Sequence, residues 1–410
     1  MRILFVVWAW PSHFFPMVPT AWASWAAGHE VLVATQPALQ KTLRDSGLPA
    51  ACVGADLDTA GMFRNRMAKA KDAEGRLTKL SAPGKDAEGR LTKLTAPGAP
   101  RAGGPADPRL LVLEVYGALA RAMADDTVRL AKGWSADVVV WDPITFAGAI
   151  AARAAGALSV RHTWGLDSAR SMRLYDDWPS DLRALLAEHD VPVERVREDL
   201  CLDICPPLLQ LPPEARTTSA RYVPYNGPDA GASRIMAASR RPRVCVTWGT
   251  TVEQLAGKAQ FPAGEALRAL AAHDVDVMVA ASDEQVSRLG ALPENVTATG
   301  WMPLRTVLES CTAIVHEGGA GTLMTASLLG VPQLVIPTLH EQILAGERLA
   351  ATGAGRHLAA GAATAAAIEQ ALAPLLGANG HRQAALALRQ HILDQPTLGD
   401  TVSRWDGLAG

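Results

Sequence analysis

The chain has 410 residues, 49% hydrophobic and 20% charged, with a formal net charge of −2. That length predicts two domains or three, each large enough for its own core. The balanced charge offers no basic surface for nucleic acid or an anionic membrane, and no apolar run reaches the roughly 20 residues that cross a bilayer.

The opening "MRILFVVWAWPSHFFP" is apolar but is broken by Pro11 and His13, with no small-residue cleavage site behind it. It reads as a first β-strand rather than a signal peptide. A helix follows over 17–28, closed by Gly28, then a strand "EVLVAT" from Glu30 and a helix closed by Gly47. Residues 71–84, "KDAEGRLTKLSAPG", recur at 85–98 with one Ser-to-Thr change. One tandem copy is too short for a solenoid, and its Lys, Asp, Gly and Pro content predicts an exposed loop or short helical excursion. The strand "DVVVWD" at 137–142 leads into the helix "TFAGAIAARAAG". Residues 226–242, rich in Gly, Pro, Ser and Arg, read as a linker.

A second alternating series begins at "VCVTW" and continues through a helix near 265–273, then "VDVMVAA", "VTATGW", "AIVHE" and "PQLVIP". The fold class is therefore α/β: two doubly wound parallel-sheet domains, 1–225 and 243–395. In such sheets ligands bind beyond the carboxyl ends of the strands, so the residues after strands carry the information. The five cysteines show no paired CxxC pattern, which fits reduced thiols in a cytoplasmic protein.

"HEGGAGT" at 316–322 is the most informative of these strand ends. His316 ends a strand, Gly318, Gly319 and Gly321 permit close backbone approach, and Thr322 opens a helix. Free N–H groups and the helix dipole there suit a phosphate, with His316 and Thr322 as added donors. A plain tight turn with glycines for helix packing uses the same residues. No Lys precedes Thr322, so this is not a Walker loop, and neither half opens with G-x-G-x-x-G.

The run "GWMPLRTVLESCTAIVHEGGAGTLMTASLLGVPQLVIPTLHEQILAGERL", with "SHFFPMVPTAWA", "VVWDPITFAGAIAARAAG" and "LDICPPLLQLPPEA", resembles the GT-B glycosyltransferases that decorate polyketide and macrolide antibiotics. The likeness covers nearly the whole chain except the duplicated segment. It implies two facing Rossmann-like domains, the first for the acceptor and the second for a nucleotide sugar, with 396–410 crossing back to the first.

The resemblance also implies roles. Trp301 would stack on the pyrimidine of the donor, an indole that would otherwise be half-buried core. His316, the 318–322 turn, and Gly249 and Thr250 of "TWGTT" would hold the diphosphate. Glu341 and Gln342 fall where such enzymes grip sugar hydroxyls, although Asp is commoner than Glu there. Glu317 is a departure: relatives more often show a second His. An acid beside a phosphate is unfavourable unless it points away.

His13 would be the general base for an acceptor hydroxyl and Asp142 the carboxylate that orients it, although Asp142 is equally suited to cap the next helix. Trp8, Trp10, Phe14, Phe15 and Trp164 suit a flat, greasy acceptor, with at least one of the aromatics around His13 serving the core. The implied reaction is inverting transfer of a deoxysugar from a dTDP-sugar to a polyketide-type acceptor. It involves no cofactor and no metal, since "DVD" at 274–276 lies at the wrong end of its strand for a ligand site. A homodimer or a helper protein stays open as partner. So do two other readings: a UDP-glucose-dependent enzyme that inactivates antibiotics, and a non-catalytic homologue that activates another transferase.

Overall fold

Runs of Val, Ile and Leu without polar alternation become strands covered on both faces. The computed structural model describes residues 1–69, 108–213, 216–228, 240–256, 263–377 and 380–408. The duplicated 71–98 segment and most of the 226–242 linker lie outside them. Seven strands build the first sheet: β1 (Arg2–Val6), β2 (Glu30–Thr35), β3 (Ala50–Cys52), β4 (Val138–Trp141), β5 (Leu158–His162), β6 (Leu200–Asp203) and β7 (Thr217–Ser219). Six build the second: β8 (Arg243–Thr247), β9 (Asp276–Ala280), β10 (Val296–Gly300), β11 (Ala313–His316), β12 (Gln333–Val335) and β13 (Gly355–His357).

Every pairing is parallel, in the orders β3-β2-β1-β4-β5-β6-β7 and β10-β9-β8-β11-β12-β13. Each sheet reverses its winding once, between β1 and β4 in the first and between β8 and β11 in the second. At such switch points the connecting loops diverge to opposite faces and leave a crevice. His13 and Asp142 follow β1 and β4; Gly249 and the glycine turn follow β8 and β11. The topology thus places all four expected elements at the two crevices.

The halves meet across those crevices. Trp10 Nε1 donates to Thr251 Oγ1 at 3.3 Å, Arg64 donates to the Gln254 carbonyl at 2.6 Å, and Arg348 Nε to the Leu209 carbonyl at 2.6 Å. A Cβ on Gly165, after β5, would lie 2.9 Å from the Cβ of Ala320, at the start of helix Ala320–Leu329. The last segment returns to the first half. Helix Leu398–Val402 packs on helix Val18–Ala26, Arg221 N–H donates to the Pro396 carbonyl at 2.7 Å, and Trp405 is fully buried in the same core as β1. Among the described residues no helix is long and apolar enough to cross a membrane. All five cysteines are free, and four of them are buried.

Candidate active site between the two sheets

Beyond β1 the chain turns sharply. Pro11 sits at the first helical position of the short helix Pro11–Phe14, where its missing N–H costs nothing, and this turn presents His13 to the cleft. His13 Nδ1 lies 3.4 Å from Asp142 Oδ1, and the carboxylate is only 1% exposed. Asp142 also accepts from the Ile144 N–H at 3.0 Å and from the Thr145 hydroxyl, which itself accepts from Trp8 N–H at 3.1 Å. Asp142 therefore braces the turn before helix Phe146–Ala155 and lies beside the imidazole, but it does not cap that helix: the cap position is Thr145, with no side-chain cap. With Nδ1–H turned to the carboxylate, Nε2 keeps its lone pair for the cleft.

Aromatic rings enclose His13. Trp8 meets it edge-on at 5.2 Å and stacks on Trp10 at 4.8 Å, and Trp164 lies 4.2 Å away between centroids. Phe14 corrects the expectation for the acceptor wall. It is 1% exposed and belongs to the core, while Phe15, one residue on, lines the cleft. Phe63 and Tyr116, in T-shaped contact at 5.7 Å, complete the apolar wall together with Met172 and Leu174. Nothing in their helical sequence context separates Phe63 and Tyr116 from ordinary core residues.

At the other end of the cleft, Gly318 has φ of +95°, and a Cβ there would lie 2.8 Å from Val335 Cγ1; only glycine fits. Gly321 is different, because a Cβ there would meet nothing within 4 Å and the space beside it is open cleft. Packing therefore does not account for it. Gly249, Thr250, Gly318, Gly319 and Thr322 line the same cleft as His13.

His316 requires a second correction. It is completely buried, its Nε2–H donates to Gln333 Oε1 at 2.9 Å, and its Nδ1 accepts from the Gly318 N–H at 3.0 Å. Burial lowers its pKa to about 4. Both nitrogens are occupied, so the ring holds the glycine turn in shape instead of meeting a phosphate itself. Glu317 takes the cleft-lining place. The sequence left the direction of Glu317 open; its Oε1 lies 2.5 and 2.6 Å from where a Cβ on Gly249 or Gly319 would sit.

Trp301, after β10, is 63% exposed and lines the cleft, so it is no core residue. Glu341 and Gln342 open helix His340–Ala351 on the same wall. Burial raises the Glu341 carboxyl, against the pull of His340 and of His13 opposite. Gln342 Oε1 accepts from the N–H groups of Thr338 and Leu339, both at 3.0 Å, which spends its oxygen on the helix start and leaves the NH2 group for the cleft. Tyr222 and Asn226, which the sequence did not single out, tie the first half to Thr325 at 3.1 and 3.2 Å.

The cleft has a cavity volume of about 510 Å³, within the range of small-molecule sites. The "DVD" carboxylates Asp274 and Asp276 pair with Arg241 at the amino end of β9, away from it. Among the described residues no group of three or more His, Cys, Asp or Glu is arranged to hold a metal.

Residues 22–249 match the family described as erythromycin biosynthesis protein CIII-like, N-terminal domain, and residues 264–407 its C-terminal domain. The chain belongs to this family. The EryCIII-like chain is 32% identical to tylactone mycaminosyltransferase of Streptomyces fradiae, over 100% of its own length and 92% of the relative's. Among solved structures it resembles the glycosyltransferase VinC in complex with dTDP (TM-score 0.77, 31% identity, 100% and 99% of the two chains). It also resembles the spinosyn rhamnosyltransferase SpnG complexed with spinosyn aglycone (TM-score 0.75, 27% identity, 100% of both chains). The EryCIII-like fold is thus the two-domain GT-B architecture, and the chain is a glycosyltransferase.

Proposed function

We propose that the protein transfers a deoxysugar from a dTDP-sugar to a hydroxyl of a polyketide-type acceptor, with inversion at the anomeric carbon. One observation carries this reading: His13, backed by Asp142, faces the same cleft as the amino terminus of helix Ala320–Leu329. A base for a nucleophile and a seat for an anionic leaving group therefore confront one another. The complexes of relatives with dTDP and with an aglycone support the two substrate classes.

In the reaction, Nε2 of His13 takes the proton of the acceptor hydroxyl as its oxygen attacks the anomeric carbon. Attack comes from the face opposite the departing diphosphate, which inverts the centre. A positioned base contributes roughly 10²–10⁴-fold. Negative charge grows on the leaving phosphate, where the N–H groups after Gly319 and the Thr322 hydroxyl offer preorganised donors. The exposed indole of Trp301 stacks on the thymine ring. The NH2 group of Gln342 and the carboxyl of Glu341 meet the sugar. The aromatic wall of Trp8, Trp10, Phe15 and Trp164 receives the aglycone. The reaction as drawn requires no cofactor beyond the nucleotide sugar, and the buried free thiols suit the reducing cytoplasm.

The test is to incubate the protein with dTDP-sugars and UDP-glucose against a panel of macrolide and aromatic polyketide aglycones, alone and with candidate helper proteins. Glycosylated product and released dTDP are expected. Turnover with UDP-glucose alone would favour an antibiotic-inactivating role, and nucleotide binding without turnover under any condition would overturn the catalytic reading.

A further inference from the structure

The carboxylate of Glu317 occupies the seat that the proposed donor needs. It is 3% exposed and lies between β11 and helix Ala320–Leu329. Its Oε1 fills the space left free by the missing side chains of Gly249 and Gly319, on the loops that diverge at the switch point of the second sheet. The N–H groups of these glycines hydrogen-bond to the carboxylate, and its Oε2 has no hydrogen-bond partner among the described residues. Those N–H groups and the adjoining helix start are the donors a diphosphate would use.

The surroundings supply nothing to offset a second anion. The loop after β8 presents Gly249, Thr250 and Thr251, and the helix start presents Ala320, Gly321 and Thr322, all uncharged. Helix His340–Ala351 contributes Glu341 and Gln342. From the opposite wall come His13, with Asp142 behind it, and Tyr116. Among the described residues no Lys or Arg lines the cleft. A diphosphate therefore brings at least two negative charges to a seat whose own carboxylate is already buried. Like charges in such a site drive the weaker acid to its neutral form. The phosphodiester groups of a nucleotide sugar are strong acids, so the carboxyl is the group that takes the proton. Protonation also turns an acceptor-only oxygen into a hydroxyl donor, which gives Oε2 the partner it lacks.

We infer that Glu317 is a proton-linked part of the donor seat: when a nucleoside diphosphate binds, the carboxylate takes one proton from solvent and donates it as a hydrogen bond to a phosphate oxygen. One O–H bond forms on the carboxylate as the proton leaves hydronium or a buffer acid, and no other covalent bond changes. The inference builds on the donor-site reading above and adds a residue and a proton to it. Burial, which already raises this carboxyl in the empty seat, acts in the same direction.

Calorimetry of thymidine diphosphate binding between pH 7.5 and 9, above the range in which its terminal phosphate changes charge, tests the inference. Each pH is run in buffers of different ionisation enthalpy, so that protons are counted. The wild-type protein should approach one proton taken up per nucleotide, and its affinity should fall about tenfold per pH unit. Glu317→Gln keeps shape and a donor but cannot titrate, so its affinity should be flat and should exceed wild type at pH 9. Binding to wild type without proton uptake across the range would overturn the inference, as would equal uptake by the variant. If the variant does not fold, the proton count of the wild-type protein decides alone. Failure of thymidine diphosphate to bind either folded protein would overturn the donor-site reading itself, and this inference with it.

Discussion

His13 Nδ1 lies 3.4 Å from Asp142 Oδ1, across the switch between β1 and β4, and among the described residues no other side chain hydrogen-bonds to the imidazole. The carboxylate is anchored by Ile144 and Thr145, so its position does not depend on the ring. His13→Ala should lower turnover by roughly 10²–10⁴-fold. It should leave thymidine diphosphate affinity unchanged, because the proposed function gives the ring to the acceptor side. Steady-state kinetics beside calorimetry checks both; a large affinity loss would move His13 to the donor side.

Trp301 is 63% exposed and follows β10, a partly exposed strand at the edge of the second sheet. Trp301→Ala therefore loses little on folding and should leave the thermal midpoint nearly unchanged. Stacking on a base is worth about 1–3 kcal/mol, so nucleotide affinity should fall by that amount. A variant that melts early but binds normally would return Trp301 to a structural role.

The parallel strands were legible because burial on both faces leaves an unbroken apolar run, as in Ile3–Val7 and Val138–Trp141. The donor-side crevice was legible because glycines follow both strands at the switch point of the second sheet, Gly249 after β8 and Gly318 and Gly319 after β11. Short edge elements such as β7 and β13, three residues each, carry too little pattern to register. Orientation at a strand end was not legible either. His316 and Glu317 are adjacent, and the first is held inward by hydrogen bonds with Gln333 and the Gly318 N–H that the sequence does not announce. Phe14 and Phe15 repeat the lesson within one turn of helix. Tyr116 lies on the long helix Pro108–Gly133, and only the tertiary fold brings that helix to the cleft.

Two glycines of one turn should respond differently. Gly318→Ala forces φ of +95° on a residue with a Cβ and drives that Cβ toward Val335, at a cost of about 1–3 kcal/mol in urea unfolding. Gly321→Ala meets no neighbour, so stability should hold. Its methyl would project into the proposed diphosphate seat, and nucleotide affinity should drop instead. Equal behaviour of the two variants would contradict this division.

Two buried histidines weaken the fold toward acid. His316 and His162 both have pKa values lowered to about 4 by burial, and both hold neutral-ring hydrogen-bond patterns. In the unfolded chain they titrate near 6.5. Between those values the unfolded state binds more protons, so their contribution is full above about pH 6.5 and is lost as pH falls toward 4. Each histidine costs about 1.4 kcal/mol per pH unit across that window. The carboxyls of Asp203, Glu317 and Glu341, raised by burial, bind protons more readily in the native state and offset part of the loss. A difference measurement isolates one ring. Relative to wild type, His316→Asn should be less stable at pH 7.5, where Gly318 N–H and Gln333 lose their partner. Its stability should also fall less steeply from pH 6.5 to 4.5, by about one proton. Parallel pH profiles in urea unfolding would mean that His316 titrates as it does in the unfolded chain.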